Sequence, residues 1–280
     1  MKRARRCYRI ASLLALAFFT AGCALHPAAD NRAVARHLAS ICQVSALLAQ
    51  AAPAVSGSLN RNLPQSVPLA RRRRVDRLVN QAFAPAPLQA DAIRRLAATA
   101  RRQGRSDDLA RAAEGLDKPV AQRMTGLARK VGEPGFKRGF EQFIRQPAGA
   151  QRKRRLRIVD RLVDDMHLAD LETRFNITLL GAMIRARNLA VAPAKRVDET
   201  QIQRILSNTR TGLHRKLEQQ LPLMLLYVYR DVDTDTLERY AALQHRPAMV
   251  WAHATLVQSV GAALEAAGRS MPETLQTKDQ

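Results

Sequence analysis

Asp164-Asp165-Met166-His167 sets two carboxylates and an imidazole close together. Such groups can move a proton or contribute metal ligands. A metal would need further ligands from elsewhere, and one helical turn of polar residues is more simply a solvated surface. Asp231-Val232-Asp233-Thr234-Asp235 has the alternating carboxylates of a calcium loop, but Thr236 stands where the tight turn needs glycine and Ala242 replaces the closing glutamate. Helix capping is the better reading. His245 and His253 flank Trp251, and with Tyr227, Tyr229 and Tyr240 they could line a ligand pocket or serve as core and boundary residues. No HExxH, GxSxG, phosphate-loop, GxGxxG or CxxC pattern occurs, so no catalytic constellation and no cofactor is expected.

The other chemistry-bearing residues are cationic. The net charge is +22, and it is uneven: residues 71–161 hold 24 Lys/Arg against nine Asp/Glu, whereas residues 162–280 are balanced. A candidate anion-binding surface consists of Arg71, Arg72, Arg73 and Arg74 with Arg152, Lys153, Arg154 and Arg155. Nucleic acid is not expected as a partner, because the basic section lacks interleaved aromatic residues for base stacking and no nucleic-acid-binding motif appears. Lipid headgroups or cell-wall carboxylates suit an exported chain better. The competing explanation is compositional: 38 of the 46 basic residues are arginine, amid abundant alanine.

Export is read from the first residues. A basic head, MKRARRCYR, precedes the apolar run IASLLALAFF and the small residues TAG, the layout of a secretory signal. The run from Ile10 to Leu25 is shorter than the roughly 20 residues of a membrane span. An uncleaved anchor and a plain cleavage near Gly22-Cys23-Ala24 are the alternatives to lipid attachment. Thr20-Ala21-Gly22-Cys23 resembles the lipobox of bacterial lipoproteins, with threonine where leucine is commonest. The resemblance implies a signal peptide over 1–22, an acylated Cys23 and a lipid bilayer as partner; Ala24 rather than aspartate favours the outer membrane, facing the periplasm. Soluble periplasmic protein is the alternative. Acyl chains stabilise membrane attachment by about 0.8 kcal/mol per buried CH₂. Cys7 leaves with the signal and an acylated Cys23 cannot pair, so on this reading Cys42 has no partner for a disulfide and is read as a buried thiol.

The elements that must position these groups are helices. Ala, Leu, Arg and Gln dominate, and aromatic residues make up 4% of the chain. That composition predicts an all-α multi-helix bundle. The first helix is expected over Asp30 to Ala51. Residues 52–68, rich in Pro, Ser, Asn and Gly, are expected to be a linker. Val75, Leu78, Val79, Ala82 and Phe83 mark an amphipathic helix. Further helices are expected from Leu88 to Arg102 ending at Gly104, from a Ser106 or Asp107 cap to Glu114, from Pro119 to Gly132, and after Pro134. Pro147 is expected to start the helix through RKRRLRIVDRLVDDM, followed by one from Leu171 to Leu189. Asp198 with Gln201 forms a capping-box pattern for a long helix that Pro222 should kink. Asp235 with Glu238 should cap the next, and Pro247 should open the last, near whose end lies Gly268.

Two matches suggest an internal repeat. VDRLV occurs at 75–79 and 159–163, and FEQFIRQPA at 140–148 parallels YAALQHRPA at 240–248. Their offsets differ by 16 residues, which an insertion around VAPAKRV would reconcile. The expected organisation is a lipid-anchored helix and linker (23–68), a basic helical half (69–150), a second, related helical half (151–270) and a disordered tail (271–280). Residues 225–250, LLYVYRDVDTDTLERYAALQHRPAMV, resemble the exported bacterial family called domain of unknown function 2059. Phe143-Ile144-Arg145-Gln146-Pro147-Ala148-Gly149 fits that family's F-x-x-[small]-P-x-G ending better than the later copy, which has Met249 at the glycine. The resemblance implies a helical envelope protein and brings no catalytic residues.

Three functional readings follow: a non-catalytic envelope lipoprotein that binds or scaffolds another envelope component, an anion binder acting through 71–161, and an enzyme on envelope material using Asp164, Asp165 and His167.

Overall fold

The computed structural model describes residues 30–271, and the regular elements among them are all helical. They are α1 (Asn31–Ile41), α2 (Val44–Leu48), α3 (Ala51–Asn62), α4 (Leu69–Ala82), α5 (Pro85–Arg102), α6 (Ser106–Leu116), α7 (Pro119–Ala128), α8 (Phe136–Arg145), α9 (Ala150–Asp165), α10 (Leu168–Ala190), α11 (Glu199–Val228), α12 (Thr234–Gln244) and α13 (Pro247–Ser270). The chain is an all-α multi-helix bundle, as its composition implies. The signal segment, Cys23 and residues 272–280 lie outside the described residues.

Two long helices organise the packing. α13 lies against α5, α6 and α10, and α10 packs in turn on α3 and α11. Both are buried over much of their surface; α13 contributes Ala252, Leu256, Val260, Ala263 and Leu264 to the core. Small residues let the helices approach closely. A Cβ on Gly261 would press on Arg174, and one on Gly115 would meet the Met249 sulfur. Among the described residues no single helix is long and apolar enough to cross a membrane.

Several local expectations hold for identifiable reasons. α5 ends in a Schellman turn, with Gly104 at φ +64°, its N–H donating to Arg101 O and the Arg105 N–H to Ala100 O at 2.8 Å. Asp198 caps α11 by accepting the Gln201 N–H at 2.8 Å. Pro247 opens α13.

Others are corrected. The expected first helix breaks at Gln43, whose left-handed backbone (φ 53°) separates α1 from α2. The expected linker is largely α3: Ala51, Ala52, Val55 and Leu59 form its buried stripe, and Pro53 sits in the first turn, where a missing N–H costs nothing. Arg105, not Ser106 or Asp107, is the residue before α6, and the Ser106 hydroxyl instead accepts from Asn31. α9 starts at Ala150 rather than Pro147, because Gly149 is extended and forms its N-cap; the extended Gln146 before Pro147 instead ends α8. α11 needs no such correction: it runs from Glu199 to Val228 as one long helix with Pro222 inside it. Asp233 caps α12, accepting the Thr236 N–H at 2.7 Å, in place of Asp235. Met271, placed in the tail by the sequence reading, is 1% exposed and packs on the core.

The two VDRLV segments bury matching positions, Val75, Leu78 and Val79 on α4 and Val159, Leu162 and Val163 on α9. Both helices touch α10 and α13, but α4 packs chiefly on α3 and α9 chiefly on α11 and α12. One core cluster runs from Val34 to Met271 across the boundary expected near residue 150.

Candidate functional site

A partly open cavity of about 140 Å³ lies where α1 turns into α2 and meets α10, the end of α11, α12 and α13. Its wall is mostly aliphatic, with Ile41, Leu47, Leu171, Leu225, Leu256 and Val260 among the lining residues. A few polar groups interrupt it. Cys42 and Gln43 come from the corner after α1, Glu172 from α10, Tyr229 and Tyr240 from the α11–α12 region, and His253 from α13.

Each polar group is held in an uncharged form by burial. Glu172 is 8% exposed, and the Asn176 amide lies 3.4 Å from one carboxyl oxygen. Burial pushes its pKa up to about 8, so at neutral pH it is a carboxylic acid with an O–H to donate. His253 is pushed down to about 4 by burial and is a neutral imidazole, its Nε2 lying 2.9 Å from Gln244 Oε1. The Cys42 thiol is pushed up to about 12 by burial. Burial also raises Tyr229 and Tyr240, whose rings meet edge to face with centroids 6.2 Å apart. The Gln43 side-chain oxygen is buried with no hydrogen-bond partner among the described residues. The cavity is thus an apolar space with acid, imidazole and amide groups at its edge, suited to holding an uncharged molecule.

The residues singled out by sequence are distributed otherwise. Asp165 pairs with His245 at 3.1 Å, and His167 pairs with Asp170 at 3.2 Å. Asp164 is raised by burial and then by Asp160 and Asp165. These side chains have separate partners and do not converge on a shared substrate position. Among the described residues no group of three or more His, Cys, Asp or Glu could hold a metal ion. Asp231 lies beside Arg230 and Asp233 caps α12, so the calcium-like spacing is capping. Trp251 donates to Gln103 Oε1 at 3.0 Å beneath the Arg105 guanidinium, away from the cavity lining.

The two basic runs differ. Arg71, Arg73 and Arg74 are exposed on α4. Arg72 folds back onto the preceding loop, donating to Val67 O at 3.0 Å and Pro64 O at 2.6 Å. On α9, Lys153 is exposed and Arg154 pairs with Glu238 at 2.8 Å. Arg155 departs from the solvated face expected of it: it is 7% exposed and donates to Val232 O and, at 2.7 Å, to Tyr229 O. Its guanidinium ties α9 to the α11–α12 corner. Arg152 donates to Gln146 O at 2.8 Å and stacks 4.1 Å above the Phe143 ring.

Glu172, Gln43 and Arg230 were not legible as site residues. One local signal existed for Glu172, a carboxylate on the stripe Leu168, Leu171, Phe175 and Leu179 of α10. Gln43 carried none, and Arg230 belongs to an ordinary helix end. Comparison with known proteins finds no matching family model, curated protein or solved structure.

Proposed function

We propose that this chain is a lipid-anchored bacterial envelope protein, held to the outer membrane through Cys23 and facing the periplasm, that binds a small apolar molecule without transforming it. The cavity carries the binding part of the reading. A dry apolar cavity of comparable size takes up a benzene-sized guest, and about 140 Å³ is available here. The protonated Glu172 can donate to a single acceptor atom on the guest. The chemistry of the wall favours binding over catalysis: a thiol held near 12 has almost no thiolate, and an imidazole held near 4 is a weak base. The anchoring part rests on the basic head, the apolar run and Thr20-Ala21-Gly22-Cys23.

Two measurements test the two parts. Titration with benzene, read by calorimetry and by methyl NMR shifts of the lining leucines, should saturate at one site. Ala46→Leu adds bulk at the lining and should abolish binding while keeping the melting temperature. Binding untouched by Ala46→Leu, or absent from the native chain, defeats the cavity reading. Intact mass of the membrane-isolated chain should show an acylated Cys23 at the N-terminus, lost in Cys23→Ala; an unmodified terminus defeats the anchor.

A further inference from the structure

We propose that the cleft between α8, α9 and the C-terminal end of α11 binds a phosphate-type oxyanion. The cleft has a volume of about 170 Å³ and is lined by Phe143, Gln151, Arg152, Arg155, Leu226 and Arg230. Three of these six residues are arginines and none is acidic.

The guanidinium groups are oriented before any ligand arrives. Arg230 lies 4.3 Å over the Tyr227 ring and donates to Tyr227 O at 2.9 Å. Arg152 is fixed in the same manner by Phe143 and the Gln146 carbonyl. In each, Nη1 donates to a backbone carbonyl, and the planar fork presents Nη2 to an oxyanion. Arginine forks match phosphate geometry and lose little freedom when already stacked. Arg155 closes the inner wall. Carbonyl groups orient it but bring no net charge, and no carboxylate lies within ion-pair distance of it or of Arg152 among the described residues. The nearby acids are committed elsewhere: Glu238 to Arg154, Asp233 to the cap of α12, and Asp231 to the outer edge of Arg230 at 3.5 Å. Asp233 and Asp231 offset the burial of Arg155 at longer range without touching it, and an anion seated in the cleft would be in direct reach of the arginine forks.

A free phosphate ester and a phospholipid headgroup share this chemistry, and the experiment separates them. The full chain is titrated with inorganic phosphate and pyrophosphate by calorimetry, and is sedimented with phosphatidylglycerol or phosphatidylcholine vesicles. Arg152→Gln/Arg230→Gln is compared with Arg71→Gln/Arg73→Gln, which removes equal charge from α4. The cleft pair should weaken binding by about tenfold or more, and the α4 pair should change it little. Gln151→Glu, which introduces a carboxylate at the exposed rim while retaining the stacked arginines, should weaken it similarly if the double variant melts early. Saturation by phosphate or pyrophosphate without a vesicle preference assigns the site to a free ester. Preference for phosphatidylglycerol assigns it to a headgroup. Equal losses in the cleft and α4 pairs, or no saturable binding of any probe, overturns the proposal. None of these outcomes depends on benzene uptake by the apolar cavity.

Discussion

Glu172 moves from water to an apolar lining when the chain folds. Its pKa rises from the ordinary 4.5 to about 8, so between those values the folded chain keeps a proton that the unfolded chain has lost. Stability therefore falls as pH rises through that window, by about 1.4 kcal/mol per pH unit where the two states differ by one proton. His253 acts with the opposite sign. Its pKa falls from 6.5 to about 4, and between those values the unfolded chain holds the extra proton, so stability falls as pH drops. The two slopes oppose each other from pH 4.5 to 6.5, and Glu172 acts alone from 6.5 to 8. Denaturant titrations across that upper window should show declining stability in the native chain and a nearly level profile in Glu172→Gln. A variant that keeps the native slope would mean the carboxyl is solvated. None of this was visible in the sequence beyond a carboxylate on an apolar stripe, because the residues that bury Glu172 come from helices far apart along the chain.

At the scale of elements, α8 is attached through one aromatic cluster. Phe136, Phe140 and Phe143 surround the Tyr227 ring at centroid distances of 5.1, 5.8 and 5.4 Å. Gly139 permits this approach, since a Cβ there would collide with the Tyr227 hydroxyl. Alanine is the better helix former by about 1 kcal/mol, but the collision acts against the docked helix, and overpacking of this kind costs about 1–3 kcal/mol. Gly139→Ala should therefore speed amide exchange across α8, and adding Tyr227→Phe should restore part of the protection. Faster exchange unaffected by Tyr227→Phe would locate the fault elsewhere. Helix type was legible in most elements, because apolar spacing on those such as α4 and α9 is strong; α3, read as a linker, is the exception. Boundaries were legible where a local device acts, as at Gly104, Asp198 and Pro247. They were missed where tertiary contact decides: α3 forms despite its Pro, Ser and Asn because Val55 and Leu59 are buried, and Gln43 adopts a left-handed backbone with no glycine to announce it.

Over the whole molecule, the continuous core decides how the chain comes apart. Leu96 on α5 and Leu264 on α13 are both fully buried in the same cluster, on helices that pack together across the expected division of the chain. Calorimetry should show one unfolding transition. Leu96→Ala and Leu264→Ala should each lower it, by about 2–5 kcal/mol in stability, with no second transition emerging. Two resolved transitions, each moved by only one substitution, would instead establish separately folding halves. The charge asymmetry was legible from composition alone, whereas the grouping of Arg152 and Arg155 with Arg230 required the packing of α9 against α11.

The Arg155 clamp also bears on the order of assembly. Its carbonyl partners lie 74 and 77 residues further along the chain. Closing so long a loop is an entropic cost that local helix formation does not meet. The corner between α11 and α12 can therefore coil into its helices early, yet it acquires its final carbonyl orientation only when α9 arrives. During synthesis this makes the corner a late-maturing joint: it leaves the ribosome long after Arg155 and must wait for a residue already made to find it.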